Sequence, residues 1–191
     1  MNQRNRLNEH FDEAARLLDS VRKDAAFMDA VELAGQQMSA AIDAGGKIIS
    51  CGNGGSMSDA MHFAEELSGR YRDDRPGLPA ISCSDPSHIT CVGNDYGFDQ
   101  VFARYVQALG KAGDCLVAIS TSGNSANVVE AAKAARQLGM TVIGLTGRGG
   151  GTLRSLCDVV VDVPWEGYAD RVQEVHIKVI HAWIDLIEQS R

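Results

Sequence analysis

The sequence has little of what several functional classes require. Only five of its 191 residues are cysteine, at positions 51, 83, 91, 115 and 157, and no two form a Cys-x-x-Cys pair. That spacing indicates neither a zinc ribbon nor a disulfide framework. Cys51 and Cys115 fall at the ends of strand-like runs, where a small buried hydrophobe explains them better than a catalytic thiol. There is no basic run, and a net charge of −7 lacks the clustered cations that bind a phosphate backbone, so no nucleic-acid partner is expected. No apolar stretch approaches a membrane span, and residues 1–13 hold no apolar signal core, so the expected location is cytoplasmic and away from membranes. Low-complexity segments, solenoid repeats and linkers are also missing, which leaves one domain as the expected organisation. Within it, residues 1–44 form a helical lead and residues 45–191 an α/β core.

What is present is ordinary globular composition, 45% apolar and 23% charged, arranged in alternating periods. Residues 8–21 and 27–42 carry apolar side chains at helical spacing, the second stretch stopping at Gly45-Gly46. Short Val/Ile-rich runs then alternate with helical patterns: strands at 47–51, 80–83, 115–119, 141–145 and 159–163. The helices between and after them fall at 56–68, 98–109, 125–138, near 152–156 and at 168–189. Residues 72–79 and 88–97 read as loops. The expected fold class is α/β, with a parallel sheet of about five strands flanked by helices.

Two strands run straight into small-residue turns that open helices. Residues 47–51 lead into Gly52-Asn53-Gly54-Gly55-Ser56, and residues 115–119 into Ser120-Thr121-Ser122-Gly123-Asn124-Ser125. A helix N-terminus leaves N–H groups unpaired and carries partial positive charge, so an anion there gains hydrogen bonds and a favourable dipole. Neither a Gly-Lys-Ser/Thr nucleotide loop nor a G-x-G-x-x-G dinucleotide fingerprint is present. Four hydroxyls in the second turn, with no lysine or arginine, suit a terminal phosphate on a small molecule. Both turns lie at strand carboxyl ends, where open α/β sheets bind ligands, so they can share one pocket.

The helix at 56–68 buries Ala60, Phe63, Ala64 and Leu67 and stacks Asp59, His62, Glu66 and Arg70 on its other side. Spacing alone fits a solvated face with a His–Glu contact. Proximity to the first turn adds a chemical reading, in which His62 and Glu66 offer one nitrogen and one oxygen to a zinc-like cation. The last helix is apolar around most of its circumference, as for a helix packed against a second copy of the chain. Its polar stripe holds Glu174, Lys178, His181, Asp185 and Glu188, with Gln173 at the flank and His176 pointing into the apolar arc as a core histidine. A working histidine and a salt-bridged one explain His181 equally well. Gln173 and His181 stand eight residues apart, roughly 12 Å of helix, so service to a single site is expected to involve a subunit boundary.

The runs 51–56, 59–67, 92–98, 118–127 and 168–181 resemble those of the bacterial phosphoheptose isomerases of the sugar-isomerase (SIS) domain superfamily, and the similarity covers essentially the whole chain. It implies a three-layer, flavodoxin-like sandwich with two N-terminal helices, assembled as a homotetramer with sites between subunits. The implied reaction is aldose–ketose isomerisation of D-sedoheptulose 7-phosphate to D-glycero-D-manno-heptose 7-phosphate through an enediol, the first step toward the heptose of lipopolysaccharide. By the family pattern Glu66 and His181 are the acid/base pair, and His62, Glu66, Gln173 and His181 surround one zinc ion per subunit. Asn53, Gly54, Gly55, Ser56, Arg70, Asp95, Ser120, Thr121, Ser122, Ser125 and Gln173 are implied to contact the sugar phosphate. Met57-Ser58 departs from the pattern at a variable place in the first helical turn. A noncatalytic SIS adaptor that binds a replication initiator shares the turns but has no need for Glu66 and His181 together. A regulator's sensing domain would accompany a basic DNA-binding segment, and none precedes residue 47. Hexulose phosphate and amino-sugar isomerases share the turns without the full run from Gln173 to His181.

Overall fold

Asp24 makes the first joint of the chain. In the computed structural model, which describes residues 2–191, it ends helix α1 (Gln3–Lys23) and caps helix α2 (Ala25–Asp43). Its carboxylate accepts from the amides of Ala26 at 3.0 Å and Phe27 at 3.3 Å, satisfying N–H groups that the helix cannot.

Five strands follow: β1 (Ile48–Gly52), β2 (Ala80–Ser82), β3 (Cys115–Ser120), β4 (Thr141–Gly147) and β5 (Val159–Val163). They form one parallel sheet in the order β2-β1-β3-β4-β5. Between and after them come α3 (Gly55–Ser68), α4 (Pro86–Tyr96), α5 (Val101–Leu109), α6 (Ala126–Gln137) and α7 (Ala169–Gln189), with 3-10 turns at Phe98–Gln100 and Arg148–Leu156. The three-layer α/β expectation holds. Alternation along β3 shows why: Cys115, Val117 and Ile119 pack with Met38, Phe63, Trp183 and Ile184 on the α2/α3/α7 side. Leu116 and Ala118 pack with Phe102, Val106, Val128 and Ala135 on the α5/α6 side. A strand covered on both faces reads as a continuous apolar run.

One segment corrects the sequence reading: residues 86–96 form α4, where residues 88–97 were expected to be a loop. Only Val92 of this helix is buried, so no apolar period announces it. The local signal is Asp85-Pro86, a cap whose carboxylate accepts from the His88 amide at 2.8 Å, followed by proline at the first helical turn. The helix expected at 152–156 is an irregular stretch of 3-10 turns, interrupted by Gly149, Gly150 and Gly151 at positive φ.

The last helix is anchored by two buried polar contacts. Trp183 Nε1 donates to the Val31 carbonyl at 2.9 Å, and His176 Nε2 donates to the Thr146 carbonyl at 3.0 Å. Complete burial holds the His176 imidazole down from 6.5 to about 4. The unfolded chain therefore takes up this proton first as pH falls, and the stability of the neutral, buried ring is lost between pH 6.5 and pH 4, by about 3 kcal/mol. Asp59, pushed up to about 6 mainly by burial, titrates in the same window with the opposite sign, so the useful comparison is between two proteins. Urea denaturation should show the stability difference between wild type and His176→Leu shifting against wild type by about 3 kcal/mol from pH 7 to pH 4. Parallel pH curves would mean that the folded ring titrates freely.

Candidate active site

The strand order reverses at β1, which has β2 on one side and β3 on the other. Such a switch point opens a crevice beyond the strand ends. The turn after β1 passes through Asn53 and Gly54, whose φ of +56° serves as the start of α3 with no side-chain cap. The turn after β3 ends at Ser125, which also leaves α6 without a side-chain cap. Instead the Ser125 hydroxyl lies 2.9 Å from that of Ser120. Two helices therefore begin side by side with no side chain of their own spent on capping, which is what an incoming anion needs.

The two turns are bolted together by a reciprocal amide pair. Asn53 Nδ2 donates to Asn127 Oδ1 at 2.8 Å and Asn127 Nδ2 donates to Asn53 Oδ1 at 2.8 Å. Asn127 is buried. From behind, residues 148–153 brace the hydroxyl turn: Thr152 donates from its amide and its hydroxyl to Asn124 Oδ1, each at 2.9 Å, and the Leu153 amide donates to the Gly123 carbonyl at 2.9 Å. Gly123, at φ +65°, has room for no side chain, because a Cβ would sit 1.9 Å from the Gly150 carbonyl oxygen. Asn124, Asn127, Gly150 and Thr152 were not singled out from the sequence, since their roles depend on contacts across the sheet end.

Below the first turn, α3 and α7 lie together with matched ascent. Gln173 packs on Gly55 so closely that a Cβ there would meet Gln173 Nε2 at 2.4 Å. Two turns further along both helices, His62 Nε2 and His181 Nε2 are 3.0 Å apart, with ring centroids at 5.2 Å. Glu66 Oε1 lies 3.5 Å from His62 Nε2, and Glu65 Oε1 lies 3.4 Å from His62 Nδ1. His62, Glu66 and His181 thus meet within one chain. Gln173 stays at the upper end of the seam. Burial, and then the neighbouring His62, hold the His181 pKa below its ordinary value. Half-buried Asp59 has an Oδ2 with no hydrogen-bond partner.

This donor set fits a divalent cation. Two nitrogens on a tetrahedral zinc stand roughly 3.3 Å apart, and the two facing Nε2 atoms are already near that separation, with a carboxylate oxygen beside them. Ligand atoms from His62, Glu65 and Glu66 also lie within 4.8 Å of one another.

The remaining expected contacts are placed as follows. Ser56 and Ser120 are buried, Thr121 and Ser122 are partly buried, and all four belong to the two turns. Arg70 is exposed beyond the end of α3. Asp95 is exposed on α4, where it accepts from Asn94 at 2.7 Å and from the Cys91 thiol at 3.6 Å. The described contacts join neither residue to the turns or to the histidines.

Comparison with known proteins finds the SIS domain over residues 9–147. The phosphoheptose isomerase of Enterobacter sp. (strain 638) is 59% identical over 187 residues, covering 98% of this chain and 95% of that protein. Among solved structures, a phosphoheptose isomerase from Neisseria gonorrhoeae superimposes with a TM-score of 0.92 at 44% identity, covering 98% of this chain and 100% of the other. One from Francisella tularensis gives 0.94 at 37% identity, covering 99% and 100%. The SIS match ends with β4, so α7 and His181 are matched only by the full-length relatives.

Asn127→Ala leaves the Asn53 amide half-satisfied and unties the two turns. The expected result is a loss of about 1–3 kcal/mol in urea unfolding together with weaker inorganic phosphate binding in calorimetry. Unchanged phosphate affinity in a destabilised variant would separate the amide pair from the anion cradle.

Proposed function

Because this chain belongs to the phosphoheptose isomerases of the SIS domain family, we propose that it interconverts D-sedoheptulose 7-phosphate and D-glycero-D-manno-heptose 7-phosphate. The observation that carries the reading is the layout of the α3/α7 seam: an anion cradle at its upper end and a His62, Glu66 and His181 cluster two turns below. A phosphate at one end of a sugar fits the cradle, while carbons 1 and 2 reach the cluster at the other.

The uncapped amides after Gly54 and Ser125, with the hydroxyls of Ser56, Ser120, Thr121, Ser122 and Ser125, hold the phosphate, and the Gln173 amide lies where it can meet the sugar above. Isomerisation moves one proton from C1 to C2 and another between the two oxygens. Glu66, partly shielded at the helix seam, and His181, whose pKa burial and then His62 hold below its ordinary value, are the groups available to share these transfers. His62, Glu66 and His181 would hold one zinc ion per chain, which when bound supplies Lewis-acid polarisation of the carbonyl. Arg70 and Asp95, exposed and without a described contact to the turns or the histidines, are suited to completing the site of a neighbouring copy in a homotetramer. Exposed Leu7, Phe11, Leu18, Met28 and Leu33 on α1 and α2 support such an assembly, and the absence of a helix able to cross a membrane among the described residues agrees with a cytoplasmic step toward lipopolysaccharide heptose. Nothing in the fold favours an adaptor role.

Incubation with sedoheptulose 7-phosphate, with and without a chelator, should yield aldose product from the untreated enzyme and less from the chelated one, with zinc restoring it. Glu66→Gln and His181→Gln are expected to lower kcat by ~10²–10⁴ with the substrate still bound. Near-normal turnover in either would remove that residue from the mechanism. Ser120→Ala and Ser122→Ala should act mainly on KM, as uniform phosphate binding requires.

A further inference from the structure

The segment that follows α3 is strapped onto the polar stripe of α7, one residue after another. The ring of Tyr71 stacks on His181, with centroids 5.7 Å apart and planes at 24°. The Arg72 guanidinium carbon lies 5.1 Å from the centre of the Tyr71 ring, while its Nη1 pairs with Asp185 Oδ1 at 3.1 Å. Arg75 Nε pairs with Glu188 Oε1 at 2.7 Å, and its other nitrogens donate to the carbonyls of Leu67 at 2.8 Å and Glu66 at 2.9 Å. Residues 181, 185 and 188 follow the i, i+4, i+7 spacing of one helix face.

The three contacts differ in strength. The Arg75–Glu188 pair is nearly buried, at 10% and 7% side-chain exposure, and Arg75 also satisfies carbonyls that end α3. It is the anchor. The Arg72–Asp185 pair is exposed, at 64% and 37%, and adds little by itself. Its effect is to keep a cation over the Tyr71 ring. The result is a run of contacts in which Arg72 lies over the Tyr71 ring, Tyr71 stacks on His181, and His62 meets His181 edge-on at 69°. His181 is thereby packed against two rings, Tyr71 by stacking and His62 edge-on.

We infer that Tyr71, held by Arg72 and the Arg75 anchor, is a positioning residue that fixes the His181 imidazole for proton transfer. This rests on the reading of His181 as an acid/base group. The ring supplies the contact: among the described residues the Tyr71 hydroxyl makes no hydrogen bond, so phenylalanine should serve nearly as well. Proton transfer is sensitive to displacements of about an ångström, so a loosened imidazole costs turnover, while the phosphate cradle two turns away is untouched.

The test compares Tyr71→Leu, Tyr71→Phe and Arg72→Gln in the heptose phosphate assay. Tyr71→Leu should lose ~10–100-fold in kcat with KM within about threefold of wild type. Tyr71→Phe should recover most of that kcat, and Arg72→Gln should lose about two- to fivefold. A crystal structure of Tyr71→Leu should show the His62–His181 nitrogen separation widened or the imidazole in a second rotamer. Should Tyr71→Leu fold poorly, the comparison of Arg72→Gln with wild type decides, since Arg72 is exposed. Wild-type kcat in both Tyr71→Leu and Arg72→Gln overturns the inference, as does an equal loss in the leucine and phenylalanine variants, or a loss carried entirely by KM. If wild type itself yields no aldose, the functional reading fails, and the imidazole geometry in the crystal alone decides the positioning claim.

Discussion

Two helix N-termini held in register by one reciprocal amide pair set the terms for everything else in this structure. A bare helix start costs the fold unsatisfied N–H groups, and most proteins remove that cost with a side-chain cap, as Asp24 and Asp85 do here. At Gly54 and Ser125 the cap is withheld, and the hydroxyl of Ser125 is turned toward Ser120 instead. Keeping two such ends together requires a contact that is itself fully satisfied. Asn53 and Asn127 provide it, because each amide uses both a donor and an acceptor on the other.

From that fixed point the site gains its depth through α3 and α7. Gly55 has no side chain, so Gln173 can press onto the first turn of α3, and this close approach sets how α7 lies along its neighbour. The seven residues from Gly55 to His62 and the eight from Gln173 to His181 then advance almost equally, so the histidines meet. Behind the seam, Phe63 and Trp183 pack with centroids 6.2 Å apart, and the indole nitrogen is tied to α2. The polar cluster is thus the wet edge of the main hydrophobic core, and its geometry is as firm as that core. A loss of packing at Trp183 would be felt at His181 two residues away.

How much of this could be read beforehand follows from the range of each signal. The parallel sheet, the two turns and the buried face of α3 were legible because each is written in neighbouring residues with a clear period. His176 separated from His181 for the same reason: one falls in the apolar arc and the other outside it. Helix α4 was missed because a mostly exposed helix has no apolar period, although Asp85-Pro86 carried a cap signal. Asn127, Thr152 and Tyr71 were beyond reach, since each acquires its role from a partner distant in sequence: Asn53, Asn124 and His181. The meeting of His62 with His181 was equally out of reach, because it depends on α3 running beside α7 at the same pitch.

The same geometry also eases the conflict between Glu66 as a base and Glu66 as a ligand. Two Nε2 atoms 3.0 Å apart repel unless something positive lies between them, and that can be a hydrogen carried by one ring or a cation shared by both. Glu66 stands off at 3.5 Å from His62, beyond a normal hydrogen bond, so its carboxylate is not committed to the histidine pair. Glu65 approaches the other nitrogen of His62 at 3.4 Å, so the ring lies between two carboxylates of its own helix.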